Sequence, residues 1–152
     1  MLEVGSKAPQ FTLQSQDGEK VSLKDFLGKK VVLYFYPKDD TPGCTKEACS
    51  FTDQYSKIKK QGAVVLGISA DSVESHKKFQ KKYNLGIDLL SDPDKEVINK
   101  YGVWKEKNMY GKKTMGIERT TFLIDEKGNI AKIFPRVRVE GHTEAILQEL
   151  GK

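Results

Sequence analysis

The chain has 152 residues, about the length of one domain. Its net charge of +5 is modest, and an apolar fraction of 38% with 9% aromatic residues excludes a disordered chain. No apolar run approaches the ~20 residues of a membrane span, and the first residues lack the pattern of a secretory signal. We therefore predict a single domain over residues 1–152 of a soluble, cytoplasmic protein that does not associate with membranes.

Strands and helices are predicted to alternate in the first half of the chain. Two short β-type segments flank the turn signal Gln16-Asp17-Gly18, which predicts a hairpin. A run of β-branched and aromatic residues at 31–36 is typical of a strand buried on both faces. The predicted elements are, in chain order, strands at 11–13, 21–23 and 31–36, a helix at about 42–60, a strand at 63–69 and a helix at about 73–83.

The second half of the chain predicts further strands and two more helices. Asp92-Pro93 predicts a helix start, because proline fits the first helical position, whereas the polar, basic residues 105–113 predict a loop. The remaining predicted elements are a short strand at 88–90, strands at 120–124 and 130–134 around a five-residue loop, and a helix at about 143–150. This order indicates an α/β fold with a mixed central sheet flanked by helices, in a thioredoxin-like layout.

The segment between the 31–36 strand and the next helix carries the candidate chemistry. Thr41 is a good N-cap residue and Pro42 fits the first helical position, so Cys44 is predicted in the first turn of the helix. Unpaired N–H groups and the helix dipole favour a thiolate there. The dipole supplies only ~0.3–1 kcal/mol, whereas lowering the pKa of a thiol from ~8.5 to ~6 takes roughly 3.4 kcal/mol. A cation is therefore needed as well.

Arg119 is a candidate for that cation, because it immediately precedes the 120–124 strand and so lies at a strand end. The alternative is a solvated arginine with no part in the site. The second cysteine, Cys49, lies five residues after Cys44. In an intact helix their Cα atoms would be ~8.7 Å apart, beyond the ~7 Å that a disulfide spans. The two are therefore either unrelated thiols or a redox couple that forms after the first turn unwinds.

Other chemistries have weaker support in the sequence. A zinc site is disfavoured, because Cys-x4-Cys has no second cysteine pair and both histidines are distant in sequence. His76 falls among lysines and is predicted to be solvated, and His142 is predicted at a helix start in a capping or surface role. The Cys-x2-Cys motif of thioredoxin itself is absent.

Taken together, the motifs of this chain resemble those of the peroxiredoxins, specifically the bacterioferritin comigratory protein, or Q-type, group. The resemblance covers about residues 4–150. It consists of a Pro-x3-Thr-x2-Cys signature followed by a glutamate and a second cysteine, a Gly-Val-Trp triplet, an arginine-bearing strand and a Val-Glu-Gly-His segment. The residues are Pro37, Thr41, Cys44, Glu47 and Cys49 for the signature, 102–104 for the triplet, 116–125 for the strand and 139–142 for the last segment.

The resemblance implies a thiol peroxidase with a thioredoxin fold and an N-terminal β-hairpin extension. Its implied roles are peroxidatic thiolate for Cys44, resolving cysteine for Cys49, binding of thiolate and peroxide for Arg119, a hydrogen bond at the same centre for Thr41, shielding for Pro37 and orientation of the arginine for Glu47. It further implies hydrogen peroxide and alkyl hydroperoxides as substrates, a thioredoxin-like dithiol as reductant, and no metal or organic cofactor; we expect a monomer. One departure is Thr52, where relatives often carry arginine, so a supporting ion pair of the family is not expected.

Two rival functions stay open at this stage. A disulfide reductase or isomerase would reduce protein disulfides with little dependence on peroxide. A basic module that binds nucleic acid is suggested by the net charge and by a cluster of lysines, but these charges are intermixed with acids, so we expect a solvated surface and no nucleic-acid partner. The lysines are Lys105, Lys107, Lys112 and Lys113.

Overall fold

Strands and helices alternate through most of the chain. The structure, a computed structural model, describes residues 2–152 and, at Met109, the backbone only. Its strands are β1 (Thr12–Gln14), β2 (Lys20–Ser22), β3 (Lys30–Phe35), β4 (Ala63–Ser69), β5 (Asp88–Ser91), β6 (Trp104–Met109), β7 (Lys112–Ile117), β8 (Thr120–Ile124) and β9 (Ile130–Phe134). Its helices are a 3-10 turn at Leu23–Phe26 and the α-helices α1 (Pro42–Lys60), α2 (Val73–Tyr83), α3 (Glu96–Lys100) and α4 (His142–Leu150).

Seven of the strands form one mixed sheet in the order β2-β1-β5-β4-β3-β8-β9. The central strands β3, β4 and β5 are parallel, and β8, β9 and the β1–β2 hairpin join them in antiparallel pairs. The predicted mixed sheet and its N-terminal hairpin are thereby confirmed. Among residues 2–152, none of the helices is both long enough and apolar enough to cross a membrane.

The central strand β3 is buried on both faces, as its continuous apolar run predicts. Val31, Leu33 and Phe35 pack on one side with α3 and the N-terminal segment. Val32 and Tyr34 pack on the other side with α1, α2 and α4. Because successive side chains of a strand point to opposite faces, a strand between two helical layers needs apolar residues at every position. The loop that follows β3 is therefore fixed to a rigid element.

The prediction was wrong for residues 105–113, which were expected to form a loop. They lie in the β6–β7 hairpin, which forms a two-stranded sheet of its own. Its turn has positive φ at Tyr110 (53°) and Gly111 (77°), the backbone of a tight hairpin turn. The strands pair through their backbones while their side chains stay largely exposed, so no apolar pattern marks them.

The helix predicted from Pro93 begins three residues later, at Glu96. Lys95, its N-cap, has a left-handed φ of 61°, which interrupts the helical backbone before that point. Asp92 lies before the helix, and its carboxylate accepts a 2.8 Å hydrogen bond from the backbone N–H of Ile98 in the first helical turn.

Gly67 of β4 makes room for a large side chain on the neighbouring strand. It pairs with Tyr34 of β3, and a Cβ at Gly67 would lie 2.8 Å from the Tyr34 Cζ and 2.9 Å from its Oη. The Tyr34 ring stacks on Phe51 of α1 with centroids 4.7 Å apart. The missing side chain at this position therefore allows the aromatic contact that joins β3 to α1.

We predict that Gly67→Ala destabilises the fold by about 1–3 kcal/mol, because the added methyl would displace Tyr34 from its stack or force the strands apart. Gly86→Ala is the matched control, since a Cβ there would lie at an ordinary 3.5 Å from Thr52 Cγ2. Urea denaturation midpoints report both changes. Equal midpoints for the two variants would contradict the packing argument.

Candidate active site

Cys44 lies in the first turn of α1, just beyond the carboxyl end of β3. Thr41 is the N-cap residue and Pro42 begins the helix, as the sequence predicts. The Cys44 side chain is 2% exposed and belongs to the apolar cluster between the sheet and α1. A sulfur at this position meets the positive end of the helix dipole in a site with little water, so a neighbouring charge acts on it strongly.

The neighbouring charge is Arg119, in the two-residue connection between β7 and β8. Its Nη2 lies 3.3 Å from Cys44 Sγ, and its Nη1 donates a 2.6 Å hydrogen bond to Glu47 Oε1. A Cβ at Gly43 would lie 3.2 Å from Nη2, so glycine here lets the guanidinium approach without crowding. The Arg119 side chain is 17% exposed. The structure thus brings the candidate cation and the candidate thiol into contact, rather than leaving Arg119 in solvent.

Glu47 is almost fully buried, with a side chain 1% exposed. Its second oxygen, Oε2, has no hydrogen-bond partner among residues 2–152. Burial raises the pKa of Glu47 to about 7, against the lowering effect of Arg119. A carboxylate whose negative charge is disfavoured neutralises the guanidinium only in part. Positive charge is therefore left to act on the Cys44 sulfur.

Cys49 lies on the same unbroken helix as Cys44, and both thiols are free. Residues five apart on an α-helix have Cα atoms ~8.7 Å apart, too far for a disulfide. Burial, followed by the charge of Asp53, raises the pKa of the half-buried Cys49 thiol. The structure therefore keeps the two cysteines apart along the helix, and burial favours the protonated form of Cys49.

Thr41 and Pro37 lie in the segment that joins β3 to α1. The Thr41 hydroxyl donates a 2.9 Å hydrogen bond to the carbonyl oxygen of Lys38. Thr41 thus occupies the N-cap position, but its side chain closes the loop and makes no capping hydrogen bond to the helix. Pro37 is half-buried and directly follows the buried Tyr36. In this conformation Thr41 fixes the backbone before the helix, and Pro37 lies where the strand ends.

The lysine-rich segment contains ion pairs that reduce its effective charge. Lys105 lies 3.0 Å from Glu118, and Lys113 lies 3.8 Å from Glu106. The basic and acidic side chains are therefore intermixed on the β6–β7 hairpin, as the sequence indicates.

The predictions for both histidines were wrong. His76 is fully buried and its Nδ1 lies 2.7 Å from Asp39 Oδ2, whereas His142 is 7% exposed and its Nε2 lies 2.8 Å from Thr121 Oγ1. Helical spacing held a signal for each, because His76 precedes the buried Phe79 by three residues and His142 precedes the buried Ile146 by four. Residues at these spacings share a helix face, so both histidines point into the core.

Comparison with known proteins assigns the family. A family model described as the AhpC/TSA family matches residues 4–133. The chain belongs to this family. A Coxiella burnetii relative named as a bcp peroxiredoxin is 59% identical over 98% of this chain and 99% of its own, and the peroxiredoxin Bcp of Bacillus subtilis is 48% identical over 98% and 95%. The solved structure of the Xanthomonas campestris bacterioferritin comigratory protein has a TM-score of 0.90 at 39% identity, covering 99% of this chain and 96% of that one.

These relatives confirm the resemblance to the Q-type, or bacterioferritin comigratory, peroxiredoxins. They also confirm the thioredoxin-like fold and place the protein among the thiol peroxidases.

We predict that His142→Gln reduces the loss of stability on acidification. Burial, and then the charge of Arg119, lowers the pKa of His142 to about 4. Between pH ~6.5 and ~4 the unfolded chain binds a proton at this position that the folded chain does not. The free energy of unfolding therefore decreases by up to about 3 kcal/mol as the pH is lowered through this range. A glutamine does not titrate, and its amide can still reach Thr121.

Urea denaturation midpoints at pH 7 and pH 4.5 measure this loss. Thr121→Val is the control, since it removes the hydrogen bond of His142 but leaves the titrating imidazole in place. The same acid-induced loss in wild type and His142→Gln would contradict the argument.

Proposed function

We propose that the protein reduces hydrogen peroxide and alkyl hydroperoxides through Cys44, resolves the product with Cys49, and is recycled by a thioredoxin-like dithiol. The observation that carries this proposal is the 3.3 Å contact of Arg119 Nη2 with Cys44 Sγ at a helix N-terminus. The Xanthomonas campestris relative is described as reducing alkyl peroxides, which supports organic hydroperoxides as substrates.

In the first step the Cys44 thiolate attacks one peroxide oxygen. A sulfur–oxygen bond forms, the oxygen–oxygen bond breaks, and Cys44 becomes a sulfenic acid. The departing hydroxide or alkoxide takes a proton from water and leaves as water or alcohol. A guanidinium has five N–H donors, and the contacts with Glu47 and Cys44 leave others for the oxygen that becomes negative. Arg119 thus stabilises both the nucleophile and the leaving group.

In the second step the Cys49 sulfur, after losing its proton, attacks the sulfenic sulfur of Cys44. A disulfide forms, and the sulfenic hydroxyl leaves as water after taking up a proton. The distance along the helix requires the first turns of α1 to unwind beforehand. Unwinding also removes the burial that raises the pKa of Cys49, so the thiolate becomes available when it is needed.

In the third step the external dithiol reduces the disulfide by thiol exchange and is itself oxidised to a disulfide. Apart from the peroxide and the external dithiol, the groups invoked in the cycle all belong to one chain, and we therefore propose that a monomer is sufficient.

We predict that Cys44→Ser abolishes peroxide turnover, because no other residue supplies the nucleophile. Cys49→Ser is expected to consume one equivalent of peroxide and then stall with thioredoxin. Titration of free thiols measures the difference: wild type loses two thiols per peroxide and Cys49→Ser loses one. Undiminished multiple turnover by Cys44→Ser would sink the assignment.

Two further assays, of disulfide reduction and of DNA binding, separate the rival functions. A disulfide reductase would reduce protein disulfides at a rate that peroxide does not change, and a nucleic-acid module would bind DNA with a steep salt dependence. Either result, together with thiols that are stable to peroxide, would replace the proposal.

We further predict that the amide protons of residues 45–49, whose hydrogen bonds begin with Thr45 N–H to Thr41 O, lose protection from hydrogen exchange in the disulfide form. Residues 51–60 are the internal control, because Phe51 and Ile58 are fully buried and hold this part of α1 to the sheet. Protection of residues 45–49 that is equal in the reduced and oxidised protein would count against the unwinding step.

A further inference from the structure

The loop between β3 and α1 is fixed to α2 by a buried carboxylate. Asp39 is 7% exposed, and its Oδ1 accepts a 2.6 Å hydrogen bond from Tyr36 Oη. Its Oδ2 accepts a 2.8 Å bond from Ser75 Oγ and lies 2.7 Å from His76 Nδ1. The backbone N–H of Asp39 donates a 2.8 Å bond to Asp71 Oδ2. Both carboxylate oxygens and the backbone of this one residue are therefore engaged.

His76 faces an acceptor on each side of its ring. Its Nε2 lies 3.0 Å from the carbonyl oxygen of Leu90, and a carbonyl oxygen only accepts, so Nε2 carries a proton. Its Nδ1 faces the Asp39 carboxylate, which also accepts. The ring therefore bridges Asp39 to the carbonyl of Leu90 in β5, with one nitrogen toward each. With side chains 0% and 4% exposed, the pair is shielded from water.

Potential ligand atoms of Asp39, Asp71 and His76 lie within 4.8 Å of one another, as in a metal site. Each of these side chains already has hydrogen-bond partners within the protein. The cluster therefore serves to hold the loop.

We propose that Asp39, fixed by Tyr36 and His76, is a positioning residue for the peroxide-reducing step. Asp39 lies two residues before the N-cap residue Thr41, whose hydroxyl donates to the carbonyl of Lys38. The position of Asp39 is thus transmitted to the start of α1, and so to the contact of Cys44 with Arg119. A displacement of ~1 Å at a reacting group can cost about 100-fold in rate.

This role rests on the proposed function and distinguishes two of its steps, the oxidation of Cys44 and the formation of the disulfide. Asp39, which anchors the loop to α2, lies before Pro42 and so outside the segment that unwinds. It sets the geometry in which Cys44 meets peroxide, but the disulfide forms after that geometry has been abandoned. Loss of the anchor should therefore slow the oxidation of Cys44 and leave disulfide formation unchanged.

The next residue provides a control within the same loop. Asp40 also contacts α2, accepting a 2.6 Å hydrogen bond from Tyr83 Oη and a 2.8 Å bond from Lys82 Nζ. Asp40 is exposed, however, and exposed pairs of this kind contribute little. Tyr36→Phe and Tyr83→Phe therefore each remove one hydroxyl that donates a 2.6 Å hydrogen bond to a loop aspartate. The aspartate is the buried Asp39 in the first variant and the exposed Asp40 in the second.

The test measures two rate constants on the full-length reduced protein. One is the second-order rate constant for oxidation of Cys44 by hydrogen peroxide, and the other is the first-order rate constant for disulfide formation. We expect Tyr36→Phe to slow oxidation about tenfold while disulfide formation stays within about twofold of wild type. Tyr83→Phe should change neither rate constant by more than about twofold.

Replacement of Asp39 itself gives a second, chemically distinct comparison. Asp39→Ala should slow oxidation at least as much as Tyr36→Phe does. Asp39→Asn should recover most of the rate, because an amide can accept from Tyr36 and donate to Nδ1 of a neutral His76. A residue with only a structural role would instead reduce the folded fraction and leave both rate constants of the folded protein unchanged.

The positioning role would be overturned if Cys44 of the Tyr36→Phe variant were oxidised at the wild-type rate. It would also be overturned if oxidation and disulfide formation slowed by the same factor. Thiols of the wild-type chain that resist peroxide would overturn the proposed function itself. That outcome is recognised before any variant is compared, so the two failures are distinguishable.

Discussion

A single guanidinium carries the charge on which the site depends. Arg119 contacts the sulfur of Cys44 at 3.3 Å and the carboxylate of Glu47 at 2.6 Å, so the two compete for one cation. If Glu47 kept its full negative charge, Arg119 would be largely neutralised before it acted on the sulfur. Burial raises the pKa of Glu47 to about 7 and weakens that competitor. The arginine is therefore both held in place and electrostatically available.

The proposed cycle places two opposing requirements on helix α1, since its first turns must unwind while the rest must stay folded. Gly43 serves the first requirement, because glycine costs ~0.8–1 kcal/mol in a helix relative to alanine, and it also leaves room for Arg119. Phe51 serves the second through its stack on Tyr34, with centroids 4.7 Å apart. Cys44 and Cys49 both precede Phe51. The aromatic stack therefore marks the point beyond which α1 stays attached to the sheet while the residues before it unwind.

The sequence was informative where an element carries its own pattern. The apolar run of β3 and the Thr41-Pro42 start of α1 are local signals, and a residue directly before a strand, such as Arg119, can be placed at a sheet edge. The β6–β7 hairpin escaped prediction because its apolar burial is confined to Trp104 and Ile117, where it leaves the core, and most of the described residues between them are exposed. The burial of His76 and of His142 depends on partners 37 and 21 residues away, so no local pattern fixes it, although helix-face spacing gave a hint.

The position of β3 in the sheet explains why two distant segments meet at Cys44. Because β8 is antiparallel to β3, with Thr120 opposite Phe35, the residue before β8 reaches the point where β3 ends. Because β4 is parallel to β3, its carboxyl end lies at the same edge and leads into α2, which supplies His76. The β3–α1 loop thus lies between Arg119 on one side and, on the other, helix α2, which holds Asp39. In the proposed cycle, unwinding of the first turns of α1 would break the contact with Arg119, whereas Asp39 lies before Pro42 and would stay bonded to α2. The oxidised segment would then move about one fixed end and return to the same geometry after reduction.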